Sequence, residues 1–174
     1  MKNTLGDELM KKLLIIPFVI LILFFNTTTV HSSPLLGSKD LISIYNETFD
    51  FYVKDASLAK VKNYIAIDMN TKALKKLSAS DKLKILNYMQ KYNTSRINVI
   101  AASMEDLKAK GLVEDNKLYL HGLSGLLLEI TDIEVISNSK VIVEGNWYAS
   151  KASSENIHTV LIKENGTWKI KKSS

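Results

Sequence analysis

The stretch Val160-Leu161-Ile162-Lys163-Glu164-Asn165-Gly166-Thr167-Trp168-Lys169-Ile170 decides the fold. Asn165-Gly166 supplies the two positive-φ residues that a type I′ turn requires, so the runs on either side read as the arms of a β-hairpin. Upstream of it, after a loop through Ala152 to Glu155, the period stays at two. Val141, Val143, Gly145 and Trp147 alternate with Ile142, Glu144, Asn146 and Tyr148. Asn138-Ser139 is a turn, and Leu126 to Ile136 is a further run rich in Leu, Ile and Val. Together these predict an antiparallel meander. Both faces of Val141 to Tyr148 carry large side chains, so one face is expected to meet helices and the other to line a second cavity or partly face solvent.

Further upstream the period is helical. Leu41, Ile44, Tyr45, Thr48, Phe49 and Tyr52 fall on one face, with Ser38 and Asp40 available to cap its start. A second helix is expected after Ser57, from Leu58, Val61, Tyr64, Ile65 and Asp68-Met69. A third follows Ser80, with Leu83, Leu86, Tyr88 and Met89 inward and Lys82, Lys84 and Lys91 outside. Between the halves, Ile97, Val99 and Ile100 read as a strand. Ser103-Met104-Glu105-Asp106 resembles a capping box opening a short helix that Gly111 closes. Asp115-Asn116 turns the chain into Leu118-Tyr119-Leu120, and Gly122 to Gly125 is another break. Helices followed by a curved antiparallel sheet define an α+β domain, drawn from residue 37 to residue 174.

The front end carries an address. Lys11 and Lys12, the apolar run Leu13 to Phe25 and the polar stretch Asn26 to Ser33 have the order of a secretory signal. Thirteen apolar residues span roughly 20 Å as a helix, short of the roughly 30 Å hydrocarbon core, and Pro17 interrupts them. Val30 and Ser32 place a cut between Ser32 and Ser33, which makes 1–32 a signal peptide. Asp7 and Glu8 are unusual there and keep an uncleaved anchor as the alternative. The chain has no cysteine, which excludes disulfides and a cysteine-linked lipid. A secreted or extracytoplasmic location follows, with membrane contact only through the N-terminal segment if it is retained.

Charge is divided along the chain. Residues 54–100 hold 10 basic and 3 acidic groups, whereas residues 111–164 hold 4 and 8. The basic half suits anionic wall polymer or lipid headgroups, against the plainer reading of a solvated helix face. Export and a single arginine, Arg96, argue against nucleic acid.

The three-helical opening and the Lys163-Glu164-Asn165-Gly166-Thr167-Trp168-Lys169-Ile170 ending resemble the cone-shaped fold of nuclear transport factor 2 and the ketosteroid isomerases. Ser103 to Leu107, Gly111-Leu112-Val113 and Leu126 to Ile133 are also similar to a group of exported Gram-positive bacterial proteins of unknown function. The resemblance spans about residues 40–172. It implies helices on the concave side of the sheet and a cavity open at one end; enzymes resembling this fold place a carboxylate or a His–Asp pair in that cavity.

The strand candidates for such chemistry are Glu129, Asp132, Glu134, Glu144 and His158. A carboxylate in strand alternation is ordinarily the wet side of a sheet, but His158 sits in register with Val160 and Ile162 and so is a candidate for a buried face. His121 and His158, 37 positions apart with no carboxylate at ligand spacing, predict no metal site, and no cofactor motif occurs. There is no Gly-x-Ser-x-Gly elbow and no phosphate loop. Asn46-Glu47-Thr48 and Asn165-Gly166-Thr167 match the glycosylation sequon by chance, one in a helix and one in a tight turn. Trp147, Tyr148 and Trp168 form either an aromatic platform for sugar or peptide, or core anchors under the helices. The binding residues expected are Trp147, Tyr148, His158 and Trp168. The function expected is a non-enzymatic binding or interaction domain at the bacterial surface, its partner a peptide, wall polymer or protein, with a homodimer through the open sheet as one form. The alternative is a hydrolase or isomerase with His158 or Glu129 as base.

Overall fold

The computed structural model describes residues 36–56, 63–114, 117–120, 123–150 and 153–174. The signal or anchor segment and the first part of the expected second helix lie outside them. The fold is α+β. Helix α1 (Ser38–Asp55) is followed by strand β1 (Tyr64–Ile67), α2 (Lys72–Lys75), α3 (Ala79–Met89) with a 3₁₀ turn (Gln90–Tyr92), β2 (Asn98–Ala101) and α4 (Met104–Ala109). Strands β3 (Tyr119–Leu120), β4 (Leu123–Ser137), β5 (Lys140–Ser150), β6 (Ser153–Glu164) and β7 (Thr167–Ser173) complete it.

The sheet is mixed, in the order β2-β1-β4-β5-β6-β7 with β3 paired to β4 off this path. From β4 to β7 it is the antiparallel meander expected, and Asn165 and Gly166 at its last turn have φ of 50° and 79°. The correction lies at β1. Tyr64 to Ile67 is not helical but a strand buried at all four positions, lying parallel to β2 on one side and to β4 on the other. Tyr64-Ile65-Ala66-Ile67 is a continuous apolar run, the pattern of a strand covered on both faces. Ile65 and Ile67 enter the core under α1, whereas Tyr64 and Ala66 pack with Ala102, Leu107, Leu118 and Leu127 on the opposite face, beneath α4. The Tyr64 ring lies across Gly125, its register partner, where an added Cβ would stand 2.0 Å from Cζ.

Helix α1 covers the inner face. Ile44, Tyr45, Phe49, Tyr52 and Val53 are 0–2 % exposed, against Leu126, Leu128, Ile130, Val141, Val143, Leu161 and Trp168, all within 1 %. Burial on this scale is the main stabilising term of the domain. The start of α1 is not capped as the sequence suggested. Its N-cap is Gly37, with no side-chain cap. Asp40 instead accepts from Lys163 Nζ at 2.6 Å and Trp168 Nε1 at 2.9 Å. At the other end Asp55 accepts from Trp147 Nε1 at 2.8 Å. Both indoles of the chain therefore fasten α1 to the sheet, one near each end.

Helix α3 is capped by Ser78, which accepts from Asp81 N at 3.1 Å. Its inward residues are Ile85 and Met89. Leu83, expected inward, is 55 % exposed, and Lys82, expected outside, turns back to Met69 O at 2.8 Å. The helix end is tied to α1 through Asp50, 9 % exposed, which accepts from Tyr88 Oη (2.7 Å), Lys91 Nζ (2.5 Å) and Tyr92 Oη (3.0 Å). Lys91 also stands 3.7 Å over the Tyr88 ring. Helix α4 opens with the capping box expected, and Gly111 ends it at φ 67°.

Candidate functional site

The side-chain alternation of β4, β5 and β6 sorts the polar candidates onto one face. Inward go Val141, Val143, Gly145 and Trp147, together with Ile157, Thr159 and Leu161. Outward go Glu144, Asn146 and Tyr148, and His158. Register then aligns them across strands: Glu129 lies opposite Asn146, which lies opposite Asn156, and Asp132 lies opposite Glu144, which lies opposite His158. A β-bulge between Ile130 and Asp132 inserts Thr131, whose hydroxyl donates to Glu144 O at 3.2 Å.

Over these rows opens a cavity of about 330 Å³, lined by Thr131, Glu144, Asn146, Asn156, His158 and Ser174, with Gly145 and Ile157 completing it. Ser174 is held there by backbone bonds in both directions with His158 (2.9 and 3.1 Å). No described helix lies over it: His158 and Glu144 side chains are 47 % and 62 % exposed.

His158 is thus on the outer, half-exposed side, not on the buried face its neighbours suggested. Val160 and Ile162 are themselves only partly buried, because nothing described packs on that end of the sheet. His158 Nδ1 stands 3.8 Å from Glu144 Oε1, outside hydrogen-bond distance. Glu129 differs. Burial first, then the negative charge of Asp68, raises its carboxyl above the usual range, and a hydrogen bond with Asn146 opposes this. It is not among the residues lining the cavity. Asp132 is paired loosely with Lys72 at 4.0 Å.

The aromatic candidates do not form one platform. Trp147 and Trp168 point inward, 9 % and 1 % exposed, with their indole N–H groups on Asp55 and Asp40. Tyr148 points outward, against the cluster beneath α4. Trp147 has a second position of interest: with Ala56, Leu118, Leu126 and Ala149 it lines an apolar cavity of about 240 Å³ at the end of the sheet. Away from that end the space between α1 and the sheet is filled by the residues above.

The residues that sequence reasoning missed are Thr131, Asn146, Asn156 and Ser174. Their only signal is register, since a polar residue every second position identifies the wet face but not which of its rows align. Among the described residues no group of three His, Asp or Glu side chains is placed to hold a metal ion. His121 lies outside the described residues. No helix among the described residues is long and apolar enough to cross a membrane. Comparison with known proteins returns no matching family model, no matching curated protein and no matching solved structure.

Proposed function

We propose that this chain is an exported, non-enzymatic binding domain that works at the outer face of a bacterial membrane and takes wall polymer on the uncovered face of β4–β6. The observation that carries the reading is the contrast between the two faces. One is packed under α1; the other presents a hollow with amides, a hydroxyl, a carboxylate and an imidazole side by side. Such a lining matches the hydroxyl and amide groups of a glycan-peptide polymer. Tyr148, on the same face two residues beyond Asn146, adds an aromatic flank. The secretory order of the N-terminal residues supports the location. The resemblance to the cone-shaped family supports one helix-covered and one open side without adding a catalytic pair.

Sedimentation with purified insoluble peptidoglycan tests it. The full chain is expected to pellet with the polymer. Asn156→Ala and His158→Ala, both at exposed positions, are expected to reduce the bound fraction several-fold with melting temperature unchanged. Equal pelleting of wild type and variants would remove the hollow from the reading. A dimer in solution that loses the hollow's accessibility would favour the pairing of two sheets instead.

A further inference from the structure

The cavity of about 240 Å³ lies where β4 begins and β5 ends, and it shares no lining residue with the hollow. Its floor is apolar: Ala56, Leu118, Leu126 and Trp147 line it and are between 1 % and 9 % exposed. The indole N–H of Trp147 is already taken by Asp55 at 2.8 Å, and Asp55 is not part of the lining, so this side chain brings ring carbons to the space and no free donor. Among the described residues that line it, a single one is charged. That residue is Lys117, which is exposed and enters none of the ion pairs among the described residues. Its backbone is held in place from two sides. Lys117 bridges to Ser150 at the end of β5, and its N–H and C=O both bond to Glu114, at 2.7 and 3.0 Å. The next residue, Leu118, donates its N–H to Ala149 O at 2.8 Å.

We infer that this cavity is a binding site for a small monocarboxylate with an apolar body, the body lying against Trp147 and the carboxylate at Lys117. Size, lining and charge each select that class. An apolar cavity of about 150 Å³ holds benzene, so one of about 240 Å³ has room for about nine or ten non-hydrogen atoms, a short acyl chain or a two-ring body. The floor offers no unpaired hydrogen-bonding side chain, because the one polar tip in it is bound to Asp55, and a polar body would lose its water there without replacement. The unpaired ammonium of Lys117 then sets the sign of the ligand's polar end. Ser150, bridged to Lys117 and also in the lining, offers a hydroxyl for the second carboxylate oxygen. The site is independent of the hollow: a chain that failed to pellet with peptidoglycan could still fill this cavity, and the reverse.

The two tryptophans of the chain make the test direct, since each gives one indole N–H signal in a sample labelled with the heavy nitrogen isotope. Octanoate, below its micellar range, is titrated into the full chain, with octanol and octylamine as the neutral and cationic arms. The Trp147 signal is expected to move saturably with octanoate, while that of Trp168, buried at the start of α1 on Asp40, stays in place. Octanol should bind about fivefold more weakly, and octylamine more weakly still. Lys117→Gln, at an exposed position, should bring octanoate to the level of octanol and leave octanol unchanged. Ala149→Leu, which enlarges a side chain of the lining, should abolish the movement with all three; if it fails to fold, Lys117→Gln decides alone. No saturable movement of the Trp147 signal, or equal movement of both indole signals, overturns the inference. Octanol or octylamine binding as tightly as octanoate overturns it as well, as does a Lys117→Gln chain that binds octanoate like wild type.

Discussion

Replacing Asp40 by Ala tests how the final hairpin is held. The carboxylate makes two bonds at once, to Lys163 Nζ at 2.6 Å and to Trp168 Nε1 at 2.9 Å, and sits in the first turn of α1. Trp168 is 1 % exposed, so its N–H would be left without an acceptor away from water, at a cost of about 1–3 kcal/mol. The ion pair is about a quarter exposed, 28 % and 27 % for the two side chains, which holds its share to roughly 1 kcal/mol. Losing a negative charge from the first turn of a helix adds about 0.5 kcal/mol. The sum is roughly 2.5–4.5 kcal/mol. Asp40→Asn keeps an acceptor for the indole and should cost about half as much. Urea unfolding followed by tryptophan fluorescence reads both. Acid supplies a second check. The hydrogen bonds from Lys163 and Trp168 lower the Asp40 pKa below its ordinary 3.8. The folded value lies below the unfolded one, so the stabilisation is complete above pH 3.8 and fades as pH falls through the folded pKa. The difference between wild type and Asp40→Ala should therefore narrow below pH 3.8. A loss under 1 kcal/mol for Asp40→Ala, or equal losses for Ala and Asn, would refute the reasoning.

Gly145→Ala should destabilise by about 2–3 kcal/mol, since the new Cβ would stand 2.3 Å from Glu129 O, a backbone atom that cannot yield without bending β4; Gly37→Ala, where nothing lies within 4 Å, is the control and should change thermal stability little. Asp50→Ala removes the acceptor shared by Tyr88, Lys91 and Tyr92 and should cost about 2–3 kcal/mol in denaturant unfolding, with Asp50→Asn milder. Burial pushes the Tyr64 hydroxyl up to about 12. Its contribution is present below pH 10 and lost between pH 10 and pH 12, as the unfolded chain ionises first. Tyr64→Phe should therefore match wild type in phenolate absorbance at pH 11 while wild type is folded.

The hairpin was the most legible part of the chain, because Asn165-Gly166 dictates its own backbone geometry whatever surrounds it. The Ser103 to Gly111 helix was readable for the same local reason. Strand β1 was not. Leu58, Val61, Tyr64 and Ile65 satisfy a helical spacing, and only the neighbours that β2 and β4 bring to both edges make Tyr64 to Ile67 a strand. Tertiary pairing overrode a weak periodic signal. The candidate site divided in the same way. Alternation set Glu144 and Trp147 on opposite faces, but the row Asp132, Glu144, His158 depends on two registers and on the bulge at Thr131, none of which one strand's sequence encodes. Leu83 misled because a leucine on the helical period reads as core until the helix has somewhere to turn it.

The position of β1 constrains the order in which this molecule can be made. Its four residues are flanked by strands that come later in the chain, and its partner Gly125 follows Tyr64 by about 60 positions. At about 5–20 residues per second, the ribosome releases this apolar tetrapeptide several seconds before anything exists to close its second edge. Helix α1 is available as a cover from the outset, whereas β4 arrives only with the second half. The nascent chain therefore passes through an interval with a sticky, half-clothed ribbon, and any holding factor that meets it has this segment to grip.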